Sequence, residues 1–285
     1  MIELFVDNLT VIDFSYLDSR RGILGESWTV NLSLSGHLDE QGMVLDFGSV
    51  KKQIKALIDR ELDHRFIIPT AKLKPECTTL DDGSLQIGWK TRHGTYVHRS
   101  PVDAVVLFDA GSVTEDNLAR HLEQLIRQIL PANVSNVSVS LQQEDIKGAW
   151  YHYSHGLKKH DGNCQRIVHG HRSRIEIHEN HKRNTQLEDL WAARFRDIYI
   201  GTKSDISRRF DVDGKAHIEF AYTASQGTFL LSLPASQVYL IDTDSTVELI
   251  AEHIAIKCLK EHSDNHFRVR AFEGINKGAV AIRQP

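Results

Sequence analysis

The stretch Gly83–Ala119, GSLQIGWKTRHGTYVHRSPVDAVVLFDAGSVTEDNLA, lies over Gly214–Ala251, GKAHIEFAYTASQGTFLLSLPASQVYLIDTDSTVELIA. At a constant offset of 133, Gly94, Thr95, Pro101, Val105, Leu107, Asp109, Ser112 and Glu115 meet Gly227, Thr228, Pro234, Val238, Leu240, Asp242, Ser245 and Glu248, and Tyr96 meets Phe229. One identity would mean nothing. Eight in register mean an internal duplication, and the repeat sets the fold before any single element does. We place the copies at 1–147 and 148–285, two domains for a chain of 285 residues at roughly 100–200 residues per domain.

Outward from that stretch, each copy reads alike. Leu9–Ser15 and Trp28–Ser35 are strand-like, the second alternating Trp28, Val30, Leu32 and Leu34, and the turn His37–Gly42 reads as their hairpin reversal. Val50, Ile54, Leu57 and Ile58 then form an apolar stripe at helical spacing. A second hairpin is expected around His93-Gly94, a second helix over Leu118–Ile129 opened by a capping box at Ser112–Glu115, and a closing strand at Val134–Leu141. The second copy repeats this with strands over Trp150–Ile177, a helix at 186–196, a hairpin at 216–233, a helix at 246–260 and a strand at 266–272. The order ββαββαβ predicts an α+β fold, each copy an antiparallel sheet with two helices on one face and an extra β-hairpin.

Composition narrows the function. A net charge of −4 offers no global field for a polyanion, so nucleic acid is not expected as a partner. No apolar run approaches the ~18 residues that span a bilayer, and the start, Met1–Asp7, lacks a basic leader, so a soluble, cytoplasmic protein without a membrane is expected. The cysteines Cys77, Cys164 and Cys258 are scattered and odd in number, which suits a reducing compartment.

The chemistry is concentrated in histidine, with 16 in the chain and a crowd of them between His152 and His181. In a strand, residues two apart face one side, so His169 and His171 present their rings together, and His155 on the preceding strand can supply a third. Three imidazoles with an open fourth position make a catalytic zinc site; Cys164 as a fourth ligand would instead make a closed structural one. His152, His160, His178 and His181 read as surface residues, and Cys77 and Cys258 as inert.

The pattern Tyr151–His155, then Cys164 ahead of His169-Gly170-His171, resembles the family of 6-pyruvoyl- and 6-carboxy-tetrahydropterin synthases, built on the tunnelling fold (T-fold). In the first copy, Gly36–Phe47 and then Leu62-Asp63-His64 resemble the same family, so the likeness covers nearly the whole chain as two T-fold units. Glu273 sits where the family places the glutamate that anchors the pterin, a task suited to a carboxylate that accepts two parallel N–H bonds. Neither copy is complete. The first carries Asp63-His64 but has Asp18, Leu24 and Glu26 at the zinc positions and Gln143 at the anchor position; the second keeps His155, His169, His171, Cys164 and Glu273 but has no Asp-His pair near Phe195–Ile198. Complementary losses imply one composite site per pair of copies, and because the family builds its sites between subunits, the two halves are expected from different chains.

The resemblance implies a zinc-dependent lyase acting on 7,8-dihydroneopterin triphosphate, with Cys164 as base and His64, held by Asp63, as proton shuttle. A 6-carboxy product, a precursor of queuosine and deazapurines, is the leading expectation; triphosphate elimination to a 6-pyruvoyl product is the alternative. A non-catalytic pterin or purine binder and a purine-nucleotide cyclohydrolase are the rivals. The family also implies a homo-oligomer, three tandem chains supplying six units.

Overall fold

The computed structural model describes residues 1–285. In the first copy, β1 (Ile2–Asp18) and β2 (Gly22–Gly36) form a long antiparallel hairpin, followed by α1 (Phe47–Glu61), β3 (Phe66–Pro69), the one-turn α2 (Thr70–Leu73), β4 (Glu76–Thr79), β5 (Leu85–Lys90), β6 (Thr95–Ser100), β7 (Val105–Phe108), α3 (Glu115–Arg127) and β8 (Val134–Gln143). The second copy runs β9 (Trp150–His155), β10 (His169–Glu179), β11 (Lys182–Arg183), α4 (Thr185–Arg194), β12 (Ile198–Thr202), β13 (Ile206–Val212), β14 (Lys215–Ala224), β15 (Gly227–Pro234), β16 (Val238–Ile241), α5 (Val247–Glu261), β17 (Phe267–Phe272) and β18 (Gly278–Arg283). The main sheets have the orders β7-β3-β1-β2-β8 and β16-β12-β9-β10-β17-β18. Their long strands pair antiparallel, and the short outer strands β3, β7, β12 and β16 add on in parallel.

The first hairpin turns earlier than expected. It reverses at 19–21, where the Asp18 carboxylate accepts the backbone N–H groups of Arg20 and Arg21, both at 2.8 Å. His37–Asp46 is instead the approach to α1, ending at Asp46, which caps the helix by accepting the N–H of Gly48. Thr114, not Ser112, caps α3, through the N–H of Asn117 at 3.2 Å.

Each main sheet buries one face under its two longer helices. Ile12, Phe14 and Trp28 pack with Ile54, Ile58, Leu118 and Leu122 in the first copy; Tyr151, Ile175 and Val269 pack with Trp191, Ile250 and Ile254 in the second. The two sheets meet at Gly25 on β2 and Gly170 on β10. A Cβ on Gly25 would fall 1.9 Å from the Tyr153 carbonyl oxygen and 2.3 Å from the His171 nitrogen, so only glycine admits this approach.

The additional hairpins do not hang separately. They merge into a third sheet, β13-β14-β15-β6-β5-β4, joined where β15 pairs β6. His98 pairs with Leu231, its own equivalent at the offset of 133, so a local twofold passes between them. Beneath this sheet, Phe66, Trp89, Tyr96, Phe220 and Phe229 pack with Ile167 and Val168 from the segment that follows Cys164.

Candidate metal centre and the cleft between the copies

The β9–β10 ladder sets His169 opposite His155 and His171 opposite Tyr153. All three histidines are buried, and their ligand atoms lie within 4.8 Å of one another. The outer nitrogens of His155 and His169 are hydrogen-bonded, and that of His171 faces a carboxylate. His155 Nδ1 donates to the Ser245 carbonyl at 2.9 Å, His169 Nδ1 donates to the Arg166 carbonyl at 2.9 Å, and His171 Nδ1 lies 3.1 Å from Asp13 Oδ1. This leaves the three Nε2 atoms buried without a partner, facing one another. Neutral imidazoles fixed through Nδ1, with inward Nε2 lone pairs, are the donor set that a divalent cation such as zinc takes. Burial, together with neighbouring histidines, pushes the pKa values of His155 and His169 well below the ordinary value, which keeps them neutral.

Asp13 belongs to the first copy, yet it orients a histidine of the second. Burial alone would raise its pKa, but His171, Lys277 at 3.0 Å and the Ser27 hydroxyl outweigh this and hold the carboxyl below the usual carboxylate range. Sequence reading missed it. The available signal was a carboxylate between Ile12 and Phe14 in a strand otherwise headed for the core.

Asp63 and His64 reach the same place from the end of α1. His64 takes a left-handed backbone (φ 56°), its N–H donates to the Asp13 carbonyl at 2.7 Å, and Asp63 Oδ1 accepts the Asp13 N–H at 2.9 Å. Asp63 Oδ2 bonds His64 Nδ1 at 2.7 Å. Burial works against charge on the His64 ring, but hydrogen bonds with Asp63 and Cys164 prevail and push its pKa up to about 10. Cys164 groups with His64 and His169, whereas His155 and His171 close the other cluster around His169. The thiol therefore stands beside the three-histidine centre, on the His64 side. Glu273 approaches from the opposite edge, Oε1 lying 3.7 Å from His171 Nε2.

His64 of the first copy and Cys164 of the second meet within one chain, where a pairing between chains was expected. The sheet contact at Gly25 and Gly170 brings the copies' clefts together within the tandem. His152 is also corrected: it is 4% exposed rather than a surface residue, and its Nδ1 donates to the Gly25 carbonyl at 2.7 Å.

The related cleft of the first copy is chemically different. Tyr16 pairs with Leu24 as His155 pairs with His169, so Tyr16, not Asp18, occupies the first zinc-ligand position; Asp18 closes the turn. Glu26 stands where His171 does, 1% exposed, and burial pushes its pKa up to about 8 against the opposing pull of the Ser27 N–H and Arg172. Asp197, with φ of 59°, matches His64 at the offset of 133, and Arg21 grips it with two hydrogen bonds of 2.8 and 2.5 Å. This cleft holds an ion pair and a buried acid where the other holds imidazoles and a thiol.

Duplication, element order and the cleft shared by the copies define the chain as a tandem T-fold enzyme of the lyase type. The sequence model described as 6-pyruvoyl tetrahydropterin synthase matches twice, over residues 14–153 and 144–284, and the chain belongs to that family. It is 27% identical over 138 residues, 48% of this chain and 79% of the other, to a protein of Pyrococcus horikoshii described provisionally as a 6-carboxy-5,6,7,8-tetrahydropterin synthase. Among solved structures it is similar to 6-pyruvoyl tetrahydropterin synthase from Plasmodium vivax (17% identity, 51% of this chain, 93% of that one, TM-score 0.41). The Plasmodium falciparum enzyme gives 14% identity, 50% and 90% coverage and a TM-score of 0.40. No helix is long and apolar enough to cross a membrane.

Proposed function

We propose that this chain is a zinc-dependent tetrahydropterin synthase that converts 7,8-dihydroneopterin triphosphate to a 6-carboxy product, a precursor of deazapurines such as queuosine. The observation that carries the reading is the set of three inward Nε2 atoms with Cys164 and His64 beside it. His155, His169 and His171 would hold the ion. Zinc, when bound, supplies Lewis acidity that favours proton loss from a substrate side-chain hydroxyl.

The protein's own groups do the rest. Cys164 Sγ accepts a proton from the substrate side chain, and His64, fixed in one orientation by Asp63, delivers or removes the second. Glu273 accepts paired N–H bonds from the pterin edge. Loss of triphosphate and of the two outer side-chain carbons as a two-carbon aldehyde, with water added at the carbon that stays, then leaves the 6-carboxy product, whereas elimination of triphosphate with all three carbons retained leaves the 6-pyruvoyl one.

We also infer a homo-oligomer of three chains, because β8 and β18 end their sheets without a partner strand and Val280 and Ile282 on β18 are exposed. Three unpaired cysteines suit a reducing cytoplasm. The test is product analysis by mass spectrometry after incubating zinc-loaded protein with 7,8-dihydroneopterin triphosphate. A 6-carboxy product with released aldehyde is expected. A 6-pyruvoyl product overturns the product assignment, and binding without conversion overturns the enzyme reading.

A further inference from the structure

The second copy's additional hairpin makes its hydrogen bonds to the Cys164 segment from the turn between β14 and β15 and from Tyr222 on β14. The cysteine lies in segment 156–168, which replaces the short turn 19–21 of the first copy and contains no regular strand or long helix. Its neighbours on both sides are tied to the hairpin instead. Gln165 is fully buried; its Oε1 accepts the backbone N–H of Gln226 at 2.7 Å, its Nε2 donates to Ser225 Oγ at 2.9 Å, and its carbonyl accepts the Tyr222 hydroxyl at 2.8 Å. Gln226 then uses both ends of its side chain. Its Nε2 donates to Asn163 Oδ1 at 2.8 Å, and its Oε1 accepts Arg166 Nε at 3.1 Å.

Arg166 carries that contact into the centre. Its guanidinium lies 3.5 and 3.4 Å from the carbonyl oxygens of Asp63 and His64, and its own carbonyl accepts the His169 ring N–H. Asn163, immediately before Cys164, and Arg166, two residues after it, are thus held by the side chain of a single exposed glutamine at a hairpin tip. An amide that donates to one and accepts from the other fixes the spacing between them.

We infer that the Ser225–Gln226 turn is a positioning device for Cys164, with Gln226 as the residue that sets the thiol against His64. This rests on the proposed role of Cys164 as base. The hairpin, an addition to the two-helix sheet unit, thereby takes part in the reaction without touching substrate. A thiol displaced by about 1 Å can cost up to about 100-fold in turnover while binding is little changed.

Gln226 is at an exposed turn, so Gln226→Ala should fold and keep the backbone bond to Gln165. In the full zinc-loaded chain we expect kcat to fall roughly 10-fold or more, with KM within about twofold and zinc content unchanged. The rate of iodoacetamide labelling at Cys164, measured against exposed Cys77 in the same chain, should shift by about threefold or more. Gln226→Glu keeps the acceptor for Arg166 and should restore both readouts in part. Wild-type kcat and labelling ratio in Gln226→Ala would overturn the inference, as would loss of zinc, which would place the effect on His169. If the wild-type chain does not convert the pterin, the functional reading fails alone; the labelling ratio still decides whether the turn seats the thiol.

Discussion

Ser15 Oγ and Ser154 Oγ lie 2.7 Å apart, hydroxyl to hydroxyl, at equivalent places on β1 and β9. Around this contact Asp13 reaches across to His171, and His152 reaches across to the Gly25 carbonyl. At this contact the copies therefore exchange Asp13 and His152, each placed in the other's cleft, and only one of the two clefts groups three histidines that could hold a metal.

One zinc per chain is the first expectation. Elemental analysis should give a ratio near one, with no ion in the Tyr16/Leu24/Glu26 cleft, because Leu24 supplies no donor atom. Since Cys164 and His64 meet within one chain, co-expressing His64→Ala with Cys164→Ala chains should not restore activity. Recovery above the level of either mutant would show that the working halves come from different chains.

Ligand and base separate by mutation. His169→Ala should lose zinc and turnover together, whereas Cys164→Ala should retain zinc and lose roughly 10²–10⁴-fold in kcat. Release of zinc by Cys164→Ala would make the cysteine a ligand and the site a structural one.

Asp13→Asn tests the contact across copies. The substitution keeps the size of the side chain but removes the charge that holds the His171 ring, and zinc affinity should weaken about 10–100-fold in chelator competition. Unchanged affinity would mean that the ring is held by packing alone.

Glu26 predicts a pH dependence. Its pKa lies near 8 in the folded chain against an ordinary 4.5, so between these values the folded state keeps a proton that the unfolded state has released. Stability contributed by this group is full below about pH 4.5 and falls as pH rises toward 8. Glu26→Gln should raise Tm at pH 8 by several degrees, at about 2–4 °C per kcal/mol, and change it little at pH 4.5. Equal shifts at both values would assign the effect to packing.

Gly25→Ala should be among the most damaging small substitutions. The new methyl would strike backbone rather than a side chain that can swing aside, at a cost of about 3 kcal/mol or more. Calorimetry should show a larger loss than for Ser15→Ala, which removes one buried hydrogen bond worth about 1 kcal/mol.

The duplication, the four longer helices and the grouping of His155, His169 and His171 were legible because periodicity and strand alternation are local properties. The place of Asp18 was not. The two hairpins differ in length between their strands, 19–21 in one copy and 156–168 in the other, and residue spacing cannot say where the extra residues enter. His152 looked like a surface residue because its burial comes from the other copy, and Asp13 escaped notice for the same reason. Merging of the added hairpins into one sheet also depends on pairing between copies, which no repeat within one copy foretells.

The tandem link has a consequence for concentration. When two half-sites belong to separate molecules, dilution parts them; here the peptide chain keeps Asp63-His64 beside Cys164 at a fixed local concentration however scarce the protein becomes. The pairing of thiol and imidazole is therefore a first-order property of each molecule, and exchange of whole chains between assemblies leaves it intact.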